Sequence, residues 1–294
     1  MIIVIMGPTA SGKSSLALET ARQFNGEIVS FDSMQVYTGL EIGTAQPSIA
    51  EKNEIPHHLV GIYDIYQRLD VYTFTELAEK AVQDILNRGK TPILAGGTGM
   101  YLRSFLYGMD DMPGDRAIRA ELDALYDAPE KEAALHVRMA EVDPAVLEKW
   151  KDCRRRLIRA LEVKLVSGKS ILELQQNLDR KLRYDVQAFK LDLEPEYLNA
   201  RIAARTELML KAGWIEEARI AIEKGLLETP TAHQALGYKL IAGFLKGELS
   251  RSELKEKLII ATRQYARRQR TWFRHQHPEA LSVTSSESPL PIVH

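Results

Sequence analysis

The stretch MIIVIMGPTASGKSSLALETARQF, Met1 to Phe24, falls into three parts with different physical logic. Ile2 to Met6 is an unbroken apolar run of strand length that ends at a glycine, the pattern of a strand covered on both faces. Gly7-Pro8-Thr9-Ala10-Ser11-Gly12-Lys13-Ser14 then satisfies G-x-x-x-x-G-K-[ST] at every fixed position. Leu16, Ala17, Ala21 and Phe24 recur at helical spacing until Asn25-Gly26 stops the pattern. Glycines let the backbone close around a phosphate, so that successive amides point inward at the mouth of a helix whose dipole favours anions. Lys13 adds a mobile charge, and the Ser14 hydroxyl is a candidate ligand for Mg²⁺. Residues Gly7 to Ser14 therefore read as a diphosphate cradle. Nucleotides such as ATP are the common guests of such a loop, but the cradle recognises a diphosphate as such.

Outward from this unit, Glu27 to Phe31 reads as a second strand that delivers Asp32-Ser33-Met34-Gln35 at its carboxyl end. In an open α/β sheet that end faces the ligand crevice. Asp32 can act there as a general base, as a magnesium ligand, or as a turn residue. From Val36 to Val60 the pattern is weak: Thr38 to Thr44 reads as loop, and Pro56-His57-His58 as an extended crossing. Neighbouring histidines point apart, so packing or hydrogen bonding is expected of them, not metal ligation. Thr73-x-x-Glu76 reads as a capping box for an amphipathic helix running to Gly89. Thr91 to Ala95 is another buried strand, opening into Gly96-Gly97-Thr98-Gly99-Met100-Tyr101, where Thr98 can offer a hydroxyl to the same pocket. The βαβαβ alternation predicts a P-loop-type α/β fold, a parallel sheet with helices on both faces. Acids that hold Mg²⁺ in nucleotide-hydrolysing members of this class end a hydrophobic strand, whereas Ile93-Leu94-Ala95 runs into glycine, so the cradle need not serve hydrolysis.

After Gly108 the character changes. Asp110 to Asp115 reads as a hinge, and helical patterns fill the chain to about Arg183. One of them, Arg154 to Val166, buries Leu157, Ile158, Leu161 and Leu165 and leaves Arg155 and Arg159 together on another face, a solvated face or a phosphate-contacting one. Tyr184 to Leu193 has strand character and returns the chain to the sheet, so residues 113–183 form a helical insertion domain within a core made of 1–112 and 184–294. The Tyr197 to Ala212 helix presents Arg201 and Arg205 at i,i+4. On the last helix Arg263, Arg267, Arg270 and Arg274 follow one face, with Leu258, Ala261, Tyr265 and Trp272 opposite. No acid lies between Arg263 and His277, which favours a nucleic-acid backbone as the partner of that stripe. The tail from Ser282 is expected to be loose.

Composition sets the outer bounds. A chain of 294 residues with 45% hydrophobic and 27% charged residues is ordinary for one or two globular domains. A net charge of −1 excludes uniform attraction to nucleic acid and leaves a local basic surface open. Cys153 is the single cysteine, so a disulfide framework is excluded and a reducing, cytoplasmic compartment is expected. Met1 runs directly into the first strand, with no leader expected, and no apolar run approaches membrane-spanning length.

GPTASGKS, DSMQVY, GLEIGTAQP, PHHL, AGGTGMYLRS, RRLIRALEV, QALGYK and TRQYARRQRTWFR, in this order from Ile2 to Arg274, resemble the tRNA dimethylallyltransferases in their bacterial form. The resemblance implies transfer of a dimethylallyl group from dimethylallyl diphosphate, with Mg²⁺, to the exocyclic amine of the adenosine 3′ to the anticodon, position 37, in tRNAs that read codons starting with U. It implies Asp32 as the general base, Thr98 as the hydroxyl near the bridging diphosphate oxygen, and Arg205 as a diphosphate clamp. It also implies tRNA contacts at Asp32, Ser33, Met34, Gln35, Thr98, Arg119, Arg155, Arg156, Arg159, Gln234, Gly237, Tyr238, Lys239, Arg263, Arg267 and Arg268. The insertion would grip the anticodon stem-loop, the enzyme would be a monomer, and no membrane would be involved. The chain departs from the family pattern at Thr38, Gln46, Asp64-Ile65 and Trp150 to Cys153. Rival readings are an adenylate isopentenyltransferase acting on free AMP, ADP or ATP, a small-molecule P-loop kinase, and a tRNA-binding protein with an inactive loop. The arginine-bearing insertion and last helix argue against a free nucleotide as the acceptor.

Overall fold

A computed structural model of the chain describes residues 1–108, 112–176, 181–277, 279–284 and 290–292. Asp110 and Asp111 of the expected hinge, and residues 285–289 and 293–294 of the tail, lie outside them. The chain divides into two compact units, Met1–Tyr107 with Leu182–His294, and Gly108–Lys181.

The first unit is built on six parallel strands: β1 (Ile2–Met6), β2 (Gly26–Phe31), β3 (His57–His58), β4 (Thr91–Gly96), β5 (Val186–Leu191) and β6 (Leu281–Val283), in the spatial order β3-β2-β4-β1-β5-β6. The unbroken apolar run of β1 follows from cover on both sides, because successive side chains of a strand point to opposite faces. Ile2, Val4 and Met6 enter one buried cluster with Phe31, Phe74, Phe105 and Leu258, while Ile3 and Ile5 enter another with Leu16, Ala17 and Phe189. In the first cluster the Phe31 ring meets Phe74 and Phe105 edge to face, with centroids 5.2 and 5.4 Å apart.

Glu27, on the strand β2, is buried and accepts from Arg88 and from Lys90 (2.9 Å), with His58 Nε2 at 2.7 Å. His57 Nδ1 lies 2.7 Å from the Ile55 carbonyl, so both histidines serve hydrogen bonding. Among the described residues no group of three or more His, Cys, Asp or Glu is placed to hold a metal ion. Nor is any helix among them long and apolar enough to cross a membrane.

Two expectations about local structure are corrected. The helix Val71–Asn87 starts earlier than the Thr73 capping box implies, because Asp70 is the cap and accepts from the Thr73 amide at 2.9 Å. The tail is not loose throughout: β6 pairs with β5 through Leu281, Ser282 and Val283 and covers an otherwise open sheet edge, and Leu290 is buried.

The second unit is helical, with helices Arg116–Tyr126, Glu132–Val142, Pro144–Trp150, Arg154–Ser167 and Ile171–Gln176. Leu122, Leu135, Met139, Val146, Leu157, Ile158 and Leu161 form its own core. Leu165, expected in that stripe, is exposed, whereas Ala160 and Val163 on another side of the helix are buried.

Candidate active site

Strand register brings the candidate residues together. Gly96 on β4 pairs with Met6 on β1 and with Phe31 on β2, so three neighbouring strands end level. Each end releases a candidate loop on the same edge of the sheet: Gly7 onward, Asp32 onward and Gly97 onward. A cavity of about 530 Å³ opens there, lined among others by Lys13, Ser14, Asp32, Ser33, Arg205 and Tyr265.

The cradle has the backbone its sequence demands. Ala10 and Gly12 sit at φ 63° and 92°, and a Cβ on Gly7 would lie 3.0 Å from both Leu191 and Ser11. Gly12 is the cap of the helix Lys13–Gln23 and supplies no side-chain oxygen, and the first turn holds no acid. The helix therefore leaves its first amides for an anion. Lys13 Nζ donates to the Pro8 carbonyl at 3.2 Å. Burial, with Arg205 nearby, brings its pKa down to about 8, partly offset by Asp32.

Asp32 turns one carboxylate oxygen onto the Met34 amide at 3.0 Å, which fixes the side chain at the cavity wall. The Thr98 amide donates to the Phe31 carbonyl (3.0 Å), and the Thr98 hydroxyl accepts from the Ser33 amide (3.0 Å). Its own proton has a weak acceptor, Ser33 Oγ at 3.4 Å, which leaves the hydroxyl able to donate to a better one.

Arg205 donates to Thr9 Oγ1 at 3.1 Å, one turn after Arg201 donates to the Ala10 carbonyl at 2.8 Å. Both line the cavity. Burial lowers the Arg205 pKa and Asp32 opposes this, so a desolvated cation is held at the cradle. Ser14 brings one hydroxyl oxygen to the cavity wall, and one or two protein oxygens completed by phosphate and water are what a Mg²⁺ site asks of a protein.

Several residues of the site are given another place, or none, by the sequence. Arg201, noted for its place on the helix and not as a clamp, completes the cationic wall. Tyr265, expected on the buried side of the last helix, lines the cavity under the Arg268 guanidinium, 5.8 Å from the ring centroid. Its phenol is held neutral by burial and by Asp32. Gln269 accepts from the Thr9 amide at 2.8 Å and donates to the Gly97 carbonyl at 2.9 Å. Glu217 accepts from the amides of Ile42 (2.7 Å) and Gly43 (2.8 Å) and from the Tyr238 hydroxyl (2.8 Å), and so holds the loop that brings Gly43 to Ala45 to the cavity.

The residues expected to meet RNA fall in different places. Ser33, Met34, Gln234 and Arg268 line the cavity, while Arg155, Arg156, Lys239, Arg263 and Arg267 are exposed. Tyr238 is fully buried and Gly237 packs against Trp214, so both hold the core and not a surface. The Gln35 side chain turns inward, bonded to Ser30 and to the carbonyls of Thr44 and Ala45. Within the insertion, Arg159 and Arg119 turn to the buried Glu162 at 2.7 and 3.5 Å. Arg270 and Arg274 find in Asp192 the acid that the stretch from Arg263 to His277 lacks, at 3.0 and 2.9 Å, which removes the lower half of the expected basic stripe. Of the departures from the family pattern, Thr38 donates to the Tyr63 carbonyl (3.2 Å) and Gln46 to the carbonyls of Gln35 and Tyr37 (3.0 and 2.7 Å), both internal loop contacts.

Two family models match the sequence, IPP transferase over residues 35–276 and isopentenyl transferase over residues 1–59. A tRNA dimethylallyltransferase of Kocuria rhizophila is 38% identical over 92% of this chain and 86% of its own length. One of Anaeromyxobacter dehalogenans is 41% identical over 94% and 90%. The solved structure of a full-length tRNA isopentenylpyrophosphate transferase from Bacillus halodurans superposes with a TM-score of 0.71 at 33% identity, covering 96% of this chain and 89% of that one. A eukaryotic dimethylallyltransferase acting on tRNA gives 0.78 at 29% identity, covering 92% and 69%.

Proposed function

The chain belongs to the tRNA dimethylallyltransferases, and from that premise we propose how its own residues carry the transfer. The enzyme is a prenyl transferase acting on tRNA. Dimethylallyl diphosphate is the donor in this reading, with its diphosphate in the cradle of Gly7 to Ser14 between Lys13, Arg201 and Arg205. The acceptor is the exocyclic amine of the adenosine 3′ to the anticodon, extruded from its stack into the cavity.

The amine is a poor nucleophile because its lone pair is delocalised into the ring. The Asp32 oxygen not bonded to Met34 accepts a hydrogen bond from it and takes its proton as nitrogen attacks the allylic carbon. A C–N bond forms, the allylic C–O bond breaks, and the electron pair leaves with the diphosphate. The Thr98 hydroxyl donates to the departing bridging oxygen, being held in place by the Ser33 amide. Lys13, Arg201, Arg205 and the loop amides are preorganised for the charge that accumulates. Bound Mg²⁺, held by Ser14 with diphosphate oxygens, would supply further neutralisation of that charge. Monomeric action in the cytoplasm completes the proposal.

The observation that supports this reading most is the meeting of the Asp32 carboxylate and a phosphate cradle on one cavity, while β4, the strand paired with β1, ends in glycine and not in an acid. The deciding experiment supplies labelled dimethylallyl diphosphate with an anticodon stem-loop or with AMP. Label is expected in the stem-loop alone. Asp32→Ala should lose roughly 10²- to 10⁴-fold in rate, and Thr98→Ala roughly 10²-fold. Transfer to AMP, or wild-type turnover in the Asp32 variant, would overturn the assignment.

A further inference from the structure

The last helix, Arg251–Gln276, carries Arg263 and Arg267 on its exposed side and a buried amide on its inner side. Gln269 is 5% exposed, and both ends of its amide are used. Its oxygen accepts from Thr9, in the donor cradle, and its nitrogen donates to the carbonyl of Gly97, the residue before Thr98. Those partners belong to two loops that leave the adjacent strands β1 and β4, the cradle and the Thr98 loop. One turn of helix on, Trp272 packs over Gly99 so closely that any Cβ there would collide with the indole, and a Cβ on Gly97 would collide with the Gln269 amide. Thr98 is thus flanked by two glycines whose missing side chains admit two residues of one helix.

Resting on the transfer reading above, we propose that Gln269 is a positioning residue for the reaction, fixing the diphosphate cradle and the Thr98 loop to each other through the helix that faces the RNA. Gln269 touches neither substrate in this assignment. It acts through Thr9, whose hydroxyl also carries Arg205, and through Gly97, whose neighbour must reach the bridging oxygen as the C–O bond lengthens. Loss of the amide leaves the two loops present and displaced, and a misplacement of about 1 Å can cost roughly 10²-fold in rate without loss of binding.

Gln269→Met keeps the length of the side chain and removes both hydrogen bonds. Gln269→Glu restores an amide-like donor and acceptor pair when its carboxyl is protonated, and repels the Gly97 carbonyl when it is ionised. Single-turnover transfer to the stem-loop is measured with both substrates saturating, alongside separate equilibrium binding of dimethylallyl diphosphate and stem-loop and a thermal unfolding curve. Gln269→Met should lose on the order of 10²-fold in single-turnover rate, with both dissociation constants within about threefold of wild type. The ratio of the Gln269→Glu rate to the wild-type rate, each taken per folded molecule from an unfolding curve at the same pH, should rise as pH falls from about 8 to about 6, which a role confined to holding the fold would not produce. A Gln269→Met rate equal to wild type, a loss proportional to the unfolded fraction, or a pH-independent Gln269→Glu ratio overturns the proposal. Should Gln269→Met fail to fold, the Gln269→Glu ratio decides alone. A wild-type enzyme that transfers nothing to the stem-loop sinks the transfer reading instead, so the two failures are distinguishable.

Discussion

At the scale of single residues, Lys13 shows how a binding charge is kept ready. Its ammonium is desolvated and faces Arg205, so in the free protein it loses its proton near pH 8. A diphosphate supplies the counter-charge and pulls the pKa back up. Donor binding should therefore take up a proton above about pH 8 and none near pH 6.5. Calorimetry of dimethylallyl diphosphate binding in two buffers of different ionisation enthalpy reads that uptake, which Lys13→Met should abolish. The same shift has a stability consequence of fixed sign. A lysine whose pKa is lowered on folding opposes folding below the folded value, and the opposition fades as pH rises from about 8 towards 10.5, the ordinary lysine value. Without donor, Lys13→Met should melt higher than wild type at pH 7, with the gap closing by pH 10. A gap that widens with pH would contradict the assigned burial.

At the scale of elements, the site is a set of loops held by distant side chains. Glu217 stands 175 positions from Ile42 yet takes its amide and that of Gly43. The pocket-lining segment that follows is held by this carboxylate from the helix Trp214–Glu223. Gly43 leaves no alternative packing, because a Cβ there would enter Trp214 and the Tyr238 hydroxyl. Glu217→Gln faces an amide with an amide, loses at least one of the two bonds, and should cost about 1 to 3 kcal/mol of stability, together with weaker stem-loop binding. Thermal unfolding and stem-loop titration check both, and an unchanged melting temperature would show the loop to be held otherwise. These long-range ties explain what the sequence could disclose. The strand-loop-helix of residues 2–23, the strand carrying Asp32 and the glycines around Thr98 are local patterns, legible because each rule operates within a few residues. Gln269 is one amide in an arginine-rich helix, and its partner Thr9 lies 260 positions away. The cap at Asp70 was masked by a second acceptable cap three residues later, and β6 by a tail of turn-forming residues.

At the scale of the molecule, the question is how a chain of net charge −1 holds a polyanion. Its arginines are sorted by partner. Asp192 neutralises Arg270 and Arg274, and Glu162 neutralises Arg119 and Arg159, so the run of basic residues read from the sequence overstated the free charge in both units. Arg155 and Arg156 in the helical unit, and Arg263 and Arg267 in the sheet-based unit, are left exposed. The two groups should give opposite phenotypes. Arg155→Ala with Arg156→Ala removes two cations from a solvated face, so tRNA affinity should fall and the slope of log affinity against log salt should shrink by about 1.5, at roughly 0.7 to 0.9 per phosphate contact. The melting temperature and the donor KM should not move. Arg159→Ala instead leaves Glu162, 5% exposed at its side chain, with Arg119 at 3.5 Å as its remaining cation, so it should lower the melting temperature of the helical unit before it alters the salt slope. Titrating tRNA at four salt concentrations, with thermal unfolding of each variant in parallel, separates the classes. A salt slope unchanged in the double variant would mean that the insertion takes no part in holding the RNA backbone.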